Sequence, residues 1–207
     1  MSKRLAALAC AGLAMIPLAA TAQTAAQDGP WMVRVRATRL AMNDSSEGGV
    51  LAKDAITVNS KWIPEVDVSY FFTKNLAAEL VLTIPQKQEV AISGTGIGTF
   101  KHLPPTLLAQ WHFTDFGAFK PYVGAGLNLT LINSEKMSVA GTPVTLEDRS
   151  IGGALQLGAD YRLDGGWYLN ADFKKVWIGS DVFLGGTKID KVTLDPYLFS
   201  FGIGKRF

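Results

Sequence analysis

The chain ends Tyr197-Leu198-Phe199-Ser200-Phe201-Gly202-Ile203-Gly204-Lys205-Arg206-Phe207, and the reading of this stretch decides the fold. Successive side chains of a strand point to opposite faces. Tyr197, Phe199, Phe201, Ile203 and Phe207 therefore share one face, and Ser200, Gly202, Gly204 and Arg206 share the other. An aromatic face that runs to the last residue suits a strand that closes a barrel with that face against lipid.

The same period-2 alternation recurs in seven segments upstream, each near the roughly 10 residues that a tilted membrane strand needs. Trp31, Val33, Val35 and Ala37 oppose Arg34, Arg36 and Thr38; Trp62, Val66, Val68, Tyr70 and Phe72 oppose Glu65, Asp67 and Ser69. Leu76, Ala78, Leu80, Leu82 and Ile84 oppose Glu79 and Thr83, and Leu103, Leu107, Ala109, Trp111 and Phe113 oppose Thr106, Gln110 and His112. Val123 to Leu131 alternates with Tyr122, Gly124, Gly126, Asn128 and Thr130, while Ile151, Leu155, Leu157, Ala159 and Tyr161 alternate with Gln156, Gly158, Asp160 and Arg162. Trp167, Leu169, Ala171, Phe173 and Trp177 oppose Tyr168, Asn170, Asp172 and Lys174. The expected fold is all-β, an eight-stranded antiparallel transmembrane β-barrel.

Connection lengths set the topology. Short turns fall near Thr73-Lys74-Asn75, Thr114 to Lys120 and Leu163 to Gly166, whereas the links at about 43–55, 85–101, 135–149 and 179–191 are longer and rich in Gly, Ser, Thr and Asp. Short periplasmic turns and long external loops are the outer-membrane arrangement, with both termini in the periplasm. Ser93-Gly94-Thr95-Gly96-Ile97-Gly98 superficially suggests a phosphate loop but has no Lys-Ser/Thr ending and no following helix, so it reads as a mobile external loop. Trp31, Tyr70, Phe72, Trp111, Phe113, Tyr161, Trp167 and Phe207 fall at periplasmic strand ends, with Trp62 and Trp177 toward the outer ones, as aromatic girdles require. A soluble lipocalin-like barrel has similar alternation with the apolar face inward. Aromatics at two levels and the terminal Phe207 favour the membrane version.

The N-terminus reads as an export signal, residues 1–22, cleaved from the single barrel domain 23–207. Lys3 and Arg4 form its positive region, Leu5 to Leu18 its apolar core and Ala20-Thr21-Ala22 its cleavage site. Cys10, the chain's one cysteine, lies inside it; a lipoprotein reading would cut the apolar core too early. Removing Lys3 and Arg4 from 20 Lys+Arg leaves 18 cations facing 18 Asp+Glu, a neutral mature chain that argues against nucleic acid as a partner. Hydrophobic residues make up 48%, with mean hydropathy +0.17, yet no later stretch is long enough for a membrane helix. Alternating strands resolve that conflict.

With the apolar face outward, the lumen receives Arg34, Arg36, Arg162, Lys174 and Arg206 against Glu65, Asp67, Glu79, Asp160 and Asp172. A barrel of eight strands is narrow enough to be filled by side chains, and buried charges must pair. The expectation is a polar plug in the periplasmic half rather than a gated pore. Ile63, Val81, Leu108, Ile132, Val176 and Leu198 are apolar at inward positions, mostly higher in the barrel. A small hydrophobic ligand would suit them, but so would plain filling, or a register slip at Pro64 or Pro104-Pro105. His102 and His112 lack metal-ligand spacing; His112 with Ser69 is a weak catalytic pair, and His102 reads as flanking a strand top. No enzyme activity and no cofactor are expected.

Certain strings carry a resemblance. Lys101-His102-Leu103-Pro104-Pro105-Thr106-Leu107-Leu108-Ala109-Gln110-Trp111, Pro121-Tyr122-Val123-Gly124-Ala125-Gly126-Leu127-Asn128, Asp195-Pro196 and the ending Gly202 to Phe207 make the chain resemble the outer membrane protein W (OmpW) family. Asn75-Leu76-Ala77 to Leu80 and the opening Trp31, Val33 and Arg34 agree. The resemblance implies a bacterial outer-membrane barrel whose narrow hydrophobic channel admits small hydrophobic molecules and releases them sideways into the bilayer. The implied partners are outer-membrane lipid, a small hydrophobic ligand, and barrel-assembly machinery that reads the strand ending in Phe207. A sealed lumen with recognition through the external loops is the alternative. Lys205 departs from the aromatic or apolar residue preferred third from the end, and a charge there can snorkel into the headgroups.

Overall fold

A computed structural model describes residues 29–48 and 51–207. The export signal at 1–22 lies outside the described residues. Strands β1 (Trp31–Ala41), β2 (Ser45–Ser46), β3 (Ile56–Val58), β4 (Lys61–Phe71) and β5 (Leu76–Thr83) come first. They are followed by β6 (Gln86–Ile92), β7 (Thr95–Leu103), β8 (Thr106–His112), β9 (Phe119–Val139) and β10 (Thr142–Leu146). The last are β11 (Arg149–Arg162), β12 (Trp167–Val176), β13 (Gly179–Leu184), β14 (Thr187–Thr193) and β15 (Tyr197–Arg206).

Eight of them close the barrel in the antiparallel order β1-β4-β5-β8-β9-β11-β12-β15-β1. Closure is made by the C-terminal strand: β15 pairs β1 from Met32↔Arg206 to Ala41↔Tyr197. Phe207 and Trp31 exchange both backbone hydrogen bonds, at 2.9 and 3.0 Å. No slip occurs at Pro64, which sits opposite Ala37 in an unbroken β1–β4 register. The β4–β5 ladder begins at Glu65↔Thr83, so Pro64 lies beyond its end, where the missing amide is tolerated.

The apolar face points outward. Leu127 and Ile151 are 66% and 73% exposed, while Arg34 on the opposite face is fully buried. A soluble lipocalin-like barrel would have the reverse. The expected girdle residues are all exposed, and Trp31, Tyr70 and Phe72 form an edge-to-face row with centroids 4.8 and 5.1 Å apart. Lys205 folds back, its ammonium donating to the Gly165 carbonyl and lying 5.2 Å from the centre of the Trp167 ring. The charge thus reaches the periplasmic turn while its stem covers the wall.

The long external links are where the structure departs from expectation. Rather than loops, the links at 85–101, 135–149 and 179–191 are mostly strands in a second tier, ordered β3-β6-β7-β9-β10-β13-β14-β2, above the membrane barrel, whereas the described part of 43–55 contributes only the two-residue β2. The 21-residue β9 runs through both tiers. Three hairpins close on pairs with positive φ, Ser93-Gly94 (49° and 81°), Ala140-Gly141 (48° and 81°) and Gly185-Gly186 (57° and 86°). Two consecutive left-handed residues make the turn whose twist matches the flanking strands, and glycine at the second position adopts it without steric cost. Ser93 to Gly98 is thus a tight turn and the start of β7, not an open loop.

Candidate functional site

The lower lumen is filled by charge. Arg34 and Arg36, two residues apart on β1, point inward together, and Gly204 and Gly202 face them on β15. A Cβ at Gly202 would stand 2.1 Å from the Val35 carbonyl oxygen and 2.9 Å from the Arg36 Cγ, so the glycine lets the β1 backbone approach closely and leaves room for the long side chain. Arg34 reaches Glu79 at 2.8 Å, Asp160 at 2.6 Å and the Ser69 hydroxyl at 2.7 Å. Arg36 lies 2.9 Å from Asp67, 3.3 Å from Glu79, 3.3 Å from Asp172 and 3.4 Å from Glu65. Lys174 bridges Asp172 at 2.7 Å and Glu65 at 2.8 Å.

Several of these bonds cross the lumen between strands that are not neighbours: Arg34 of β1 to Asp160 of β11, Lys174 of β12 to Glu65 of β4, and Gln156 of β11 donating to Glu79 of β5 at 2.8 Å. Tyr122 donates to Asp172 at 2.7 Å, and Asn170 donates to Asp160 at 2.8 Å. At this level the lumen is occupied by bonded side chains. Eight of the ten residues expected in the plug meet there. Arg162 and Arg206 instead lie half-buried at the periplasmic mouth, where the Arg206 guanidinium stands 3.8 Å from the centre of the Phe71 ring and its Nε donates to the Gly29 carbonyl at 2.9 Å. They sit at strand ends, so the inward parity that placed them leads to the rim.

Above the plug the lumen turns apolar. One cavity, of about 30 Å³, is lined by Leu40, Ile63, Val81, Val176, Ile178, Pro196 and Leu198, with Glu65 and Lys174 of the plug among its walls. A second, of about 20 Å³, is lined wholly by apolar side chains of the upper tier, Phe100, Met137, Leu146 and Val182 among them. Both are narrow clefts. Ile63, Val81, Val176 and Leu198 thus face one cavity; Leu108 and Ile132 are buried in the same apolar cluster but do not line it. Ile132 also borders an open groove with Glu135 and Asp148. Leu40, Ile178, Pro196 and the whole upper cavity escaped the sequence reading, because they belong to strand ends and to links taken as loops. The pairs Ser93-Gly94, Ala140-Gly141 and Gly185-Gly186 were the signal that could have found them.

The wall beside the lower cavity has a seam. The β5–β8 ladder stops at Val81↔Thr106, and the β6–β7 ladder starts only at Gln86↔His102. Between them Leu82 to Pro85 and Leu103 to Pro105 share no ladder. Pro104 and Pro105 have no amide hydrogens to offer one. From inside, Asn128 donates to the carbonyls of Pro104 and Pro105 at 3.2 and 3.3 Å and to the Thr106 hydroxyl at 2.8 Å.

The two histidines differ. His112 lies between Phe71 and Tyr122, ring centroids 4.9 and 4.8 Å away, and its Nε2 is 3.1 Å from Gln110 Oε1. Ser69 is engaged elsewhere, donating to Glu79 at 3.1 Å. His102 does not flank a strand top: it lies within β7, buried and facing inward, because the upper tier continues the wall above it.

Residues 27–207 match the model of the OmpW family. The outer-membrane protein y4mB of Sinorhizobium fredii is 43% identical over 209 residues, covering 96% of this chain and 90% of that one. Outer membrane protein W of Vibrio cholerae is 31% identical over 214 residues, covering 95% and 97%. The dibenzothiophene metabolism operon protein PahQ of Pseudomonas aeruginosa is 26% identical over 195 residues, covering 89% and 92%. Among solved structures, the outer membrane protein OprG of Pseudomonas aeruginosa superposes with a TM-score of 0.74 at 27% identity, covering 87% of this chain and 97% of that one.

Proposed function

Because the chain belongs to the OmpW family of bacterial outer-membrane β-barrels, we propose that it admits small hydrophobic molecules from outside and passes them sideways into the bilayer. The observation that carries this reading is the stacking of apolar cavities on a bonded polar plug. A hydrophobic solute gains roughly 25 cal/mol for each Å² of apolar surface it removes from water, so the external mouth attracts it. The same solute would have to break buried ion pairs to continue downward, which costs several kcal/mol. The seam between Leu82–Pro85 and Leu103–Pro105 is the lower-cost exit, since no ladder hydrogen bond joins those two segments. Ile63, Val81, Leu108, Ile132, Val176 and Leu198 are the residues we assign to the path, and Arg34, Arg36, Glu65, Asp67, Glu79, Asp160, Asp172 and Lys174, with Arg162 and Arg206 at the rim, to the barrier. The name of the relative PahQ, which refers to dibenzothiophene metabolism, supports a hydrophobic cargo. The C-terminal segment, β15 followed by Phe207, serves assembly, as the segment that barrel-assembly machinery recognises.

The test is uptake of an aromatic hydrocarbon by cells or vesicles carrying the protein, compared with Val81→Asp and Val176→Asp. Each should lower uptake at least tenfold while the barrel still folds. Undiminished uptake in both would refute the path. If deletion of the β13–β14 hairpin removed surface adhesion while uptake was never present, the loop-recognition reading would replace it.

A further inference from the structure

The apolar cavity above the plug contains one polar group that the fold leaves unanswered. Of its polar lining, Glu65 and Lys174 bond each other at 2.8 Å, and Thr83 donates to the Pro64 carbonyl at 2.7 Å. Asn128 Nδ2 donates to the Thr106 hydroxyl at 2.8 Å, and Asn128 Oδ1 accepts from the Thr130 hydroxyl at 2.7 Å. His102 lines the same cavity, is 1% exposed, and its Nδ1 has no partner among the described residues. Its other nitrogen, Nε2, lies 3.4 Å from the Gln88 amide nitrogen. Gln88 Oε1 also lacks a partner among the described residues; with the Gln88 amide oriented NH₂ toward the ring, the ring proton belongs on Nδ1, an unused N–H donor in an apolar wall, and with the amide turned over Nδ1 is instead an unused acceptor. A buried polar atom without a partner is destabilising, and such groups are rare enough to need an explanation.

We propose that His102 Nδ1 is the anchor for an oxygen atom of the cargo: the cavity prefers apolar molecules that carry one carbonyl or hydroxyl oxygen over the hydrocarbon of the same skeleton. The inference rests on the conduit reading above and adds a chemical class to it. Ile63, Val81 and Leu198 hold the apolar body, and His102, edge-on to Phe100 of the upper cavity with centroids 5.8 Å apart, lies on the side of the lower cavity nearest the upper one. Pairing a buried donor that is otherwise unsatisfied makes the oxygenated member of a matched pair the better ligand, since the hydrocarbon leaves the donor as it was.

The experiment compares octane with 2-octanone on the full mature chain in nanodiscs, by displacement of a fluorescent apolar probe, each affinity corrected for partition into protein-free discs. The ketone should bind about fivefold more tightly, and His102→Phe should bring the two within twofold while octane binding persists. Because His102→Phe could fail to fold, the wild-type ring is also read directly: the chain has two histidines, so long-range ¹H–¹⁵N spectra resolve Nδ1 of His102. That resonance should move with 2-octanone and not with octane. Equal binding of the two by wild type, or a ketone preference that survives His102→Phe, would overturn the anchor and leave the conduit standing. If neither ligand displaces the probe, the conduit reading itself falls, and the anchor with it.

Discussion

Replacing Arg34 by Met tests the plug as an energetic unit. The guanidinium holds Glu79 at 2.8 Å, Asp160 at 2.6 Å and 3.1 Å, and Ser69 at 2.7 Å, all fully or nearly fully buried. Met fills most of the volume but supplies none of these bonds. Glu79 retains Arg36 at 3.3 Å and Gln156 at 2.8 Å, whereas Asp160 retains, among the bonds described here, only Asn170 at 2.8 Å. Removing one partner of a buried pair costs about 3–5 kcal/mol, chiefly because the other charge is stranded. We expect Arg34→Met to destabilise the barrel by that amount. The triple variant Arg34→Met/Glu79→Gln/Asp160→Asn, which removes the stranded charges too, should recover at least half. The assay is reversible urea unfolding in lipid vesicles followed by tryptophan fluorescence, with the heat-modified gel mobility of the barrel as a check on folding. A loss under 1 kcal/mol for the single variant, or a triple variant no better than the single one, would refute the claim that charge pairing rather than side-chain volume holds the plug.

Three further outcomes follow from the geometry. Pro104→Val/Pro105→Val restores two amide donors at the seam and should reduce hydrocarbon uptake several-fold while probe binding is retained, with slowed amide exchange at Leu82 to Ile84 as the structural readout; unchanged uptake would move the exit elsewhere. A Cβ at Gly158 would stand 2.4 Å from the Tyr122 ring and hydroxyl, so Gly158→Val should cost about 1–3 kcal/mol in the same unfolding assay. Adding Tyr122→Ala should relieve the clash, and an additive double variant would refute it. Lys205→Phe supplies the aromatic that the terminal strand lacks, and should raise the rate at which folded barrel accumulates in cells; a slower rate would mean that the contacts of Lys205 with Gly165 and Trp167 matter more than the recognition of the strand.

The sequence by itself determined the membrane barrel. Side-chain direction in a strand has a period of two, so Trp31 to Thr38, Trp62 to Phe72 and Tyr197 to Phe207 assigned each residue to lipid or lumen without knowledge of its partners, and the short turns set strand direction. The placement of Ile63, Val81, Val176 and Leu198 in the lumen was legible for the same reason. Only the tertiary structure decided the rest. The upper tier was hidden because Gln86, Gln88 and His102 put polar residues on an inward face and the glycine-rich turns resemble loops; its strands exist because β9 extends beyond the membrane and offers them an edge. The pairing of Arg34 with Asp160, 126 positions apart, the retreat of Arg162 and Arg206 to the rim and the unpartnered nitrogen of His102 also lay beyond reach. Periodicity tells which face a side chain occupies, but what it meets across the lumen depends on barrel closure, which brings together strands that are distant in the chain.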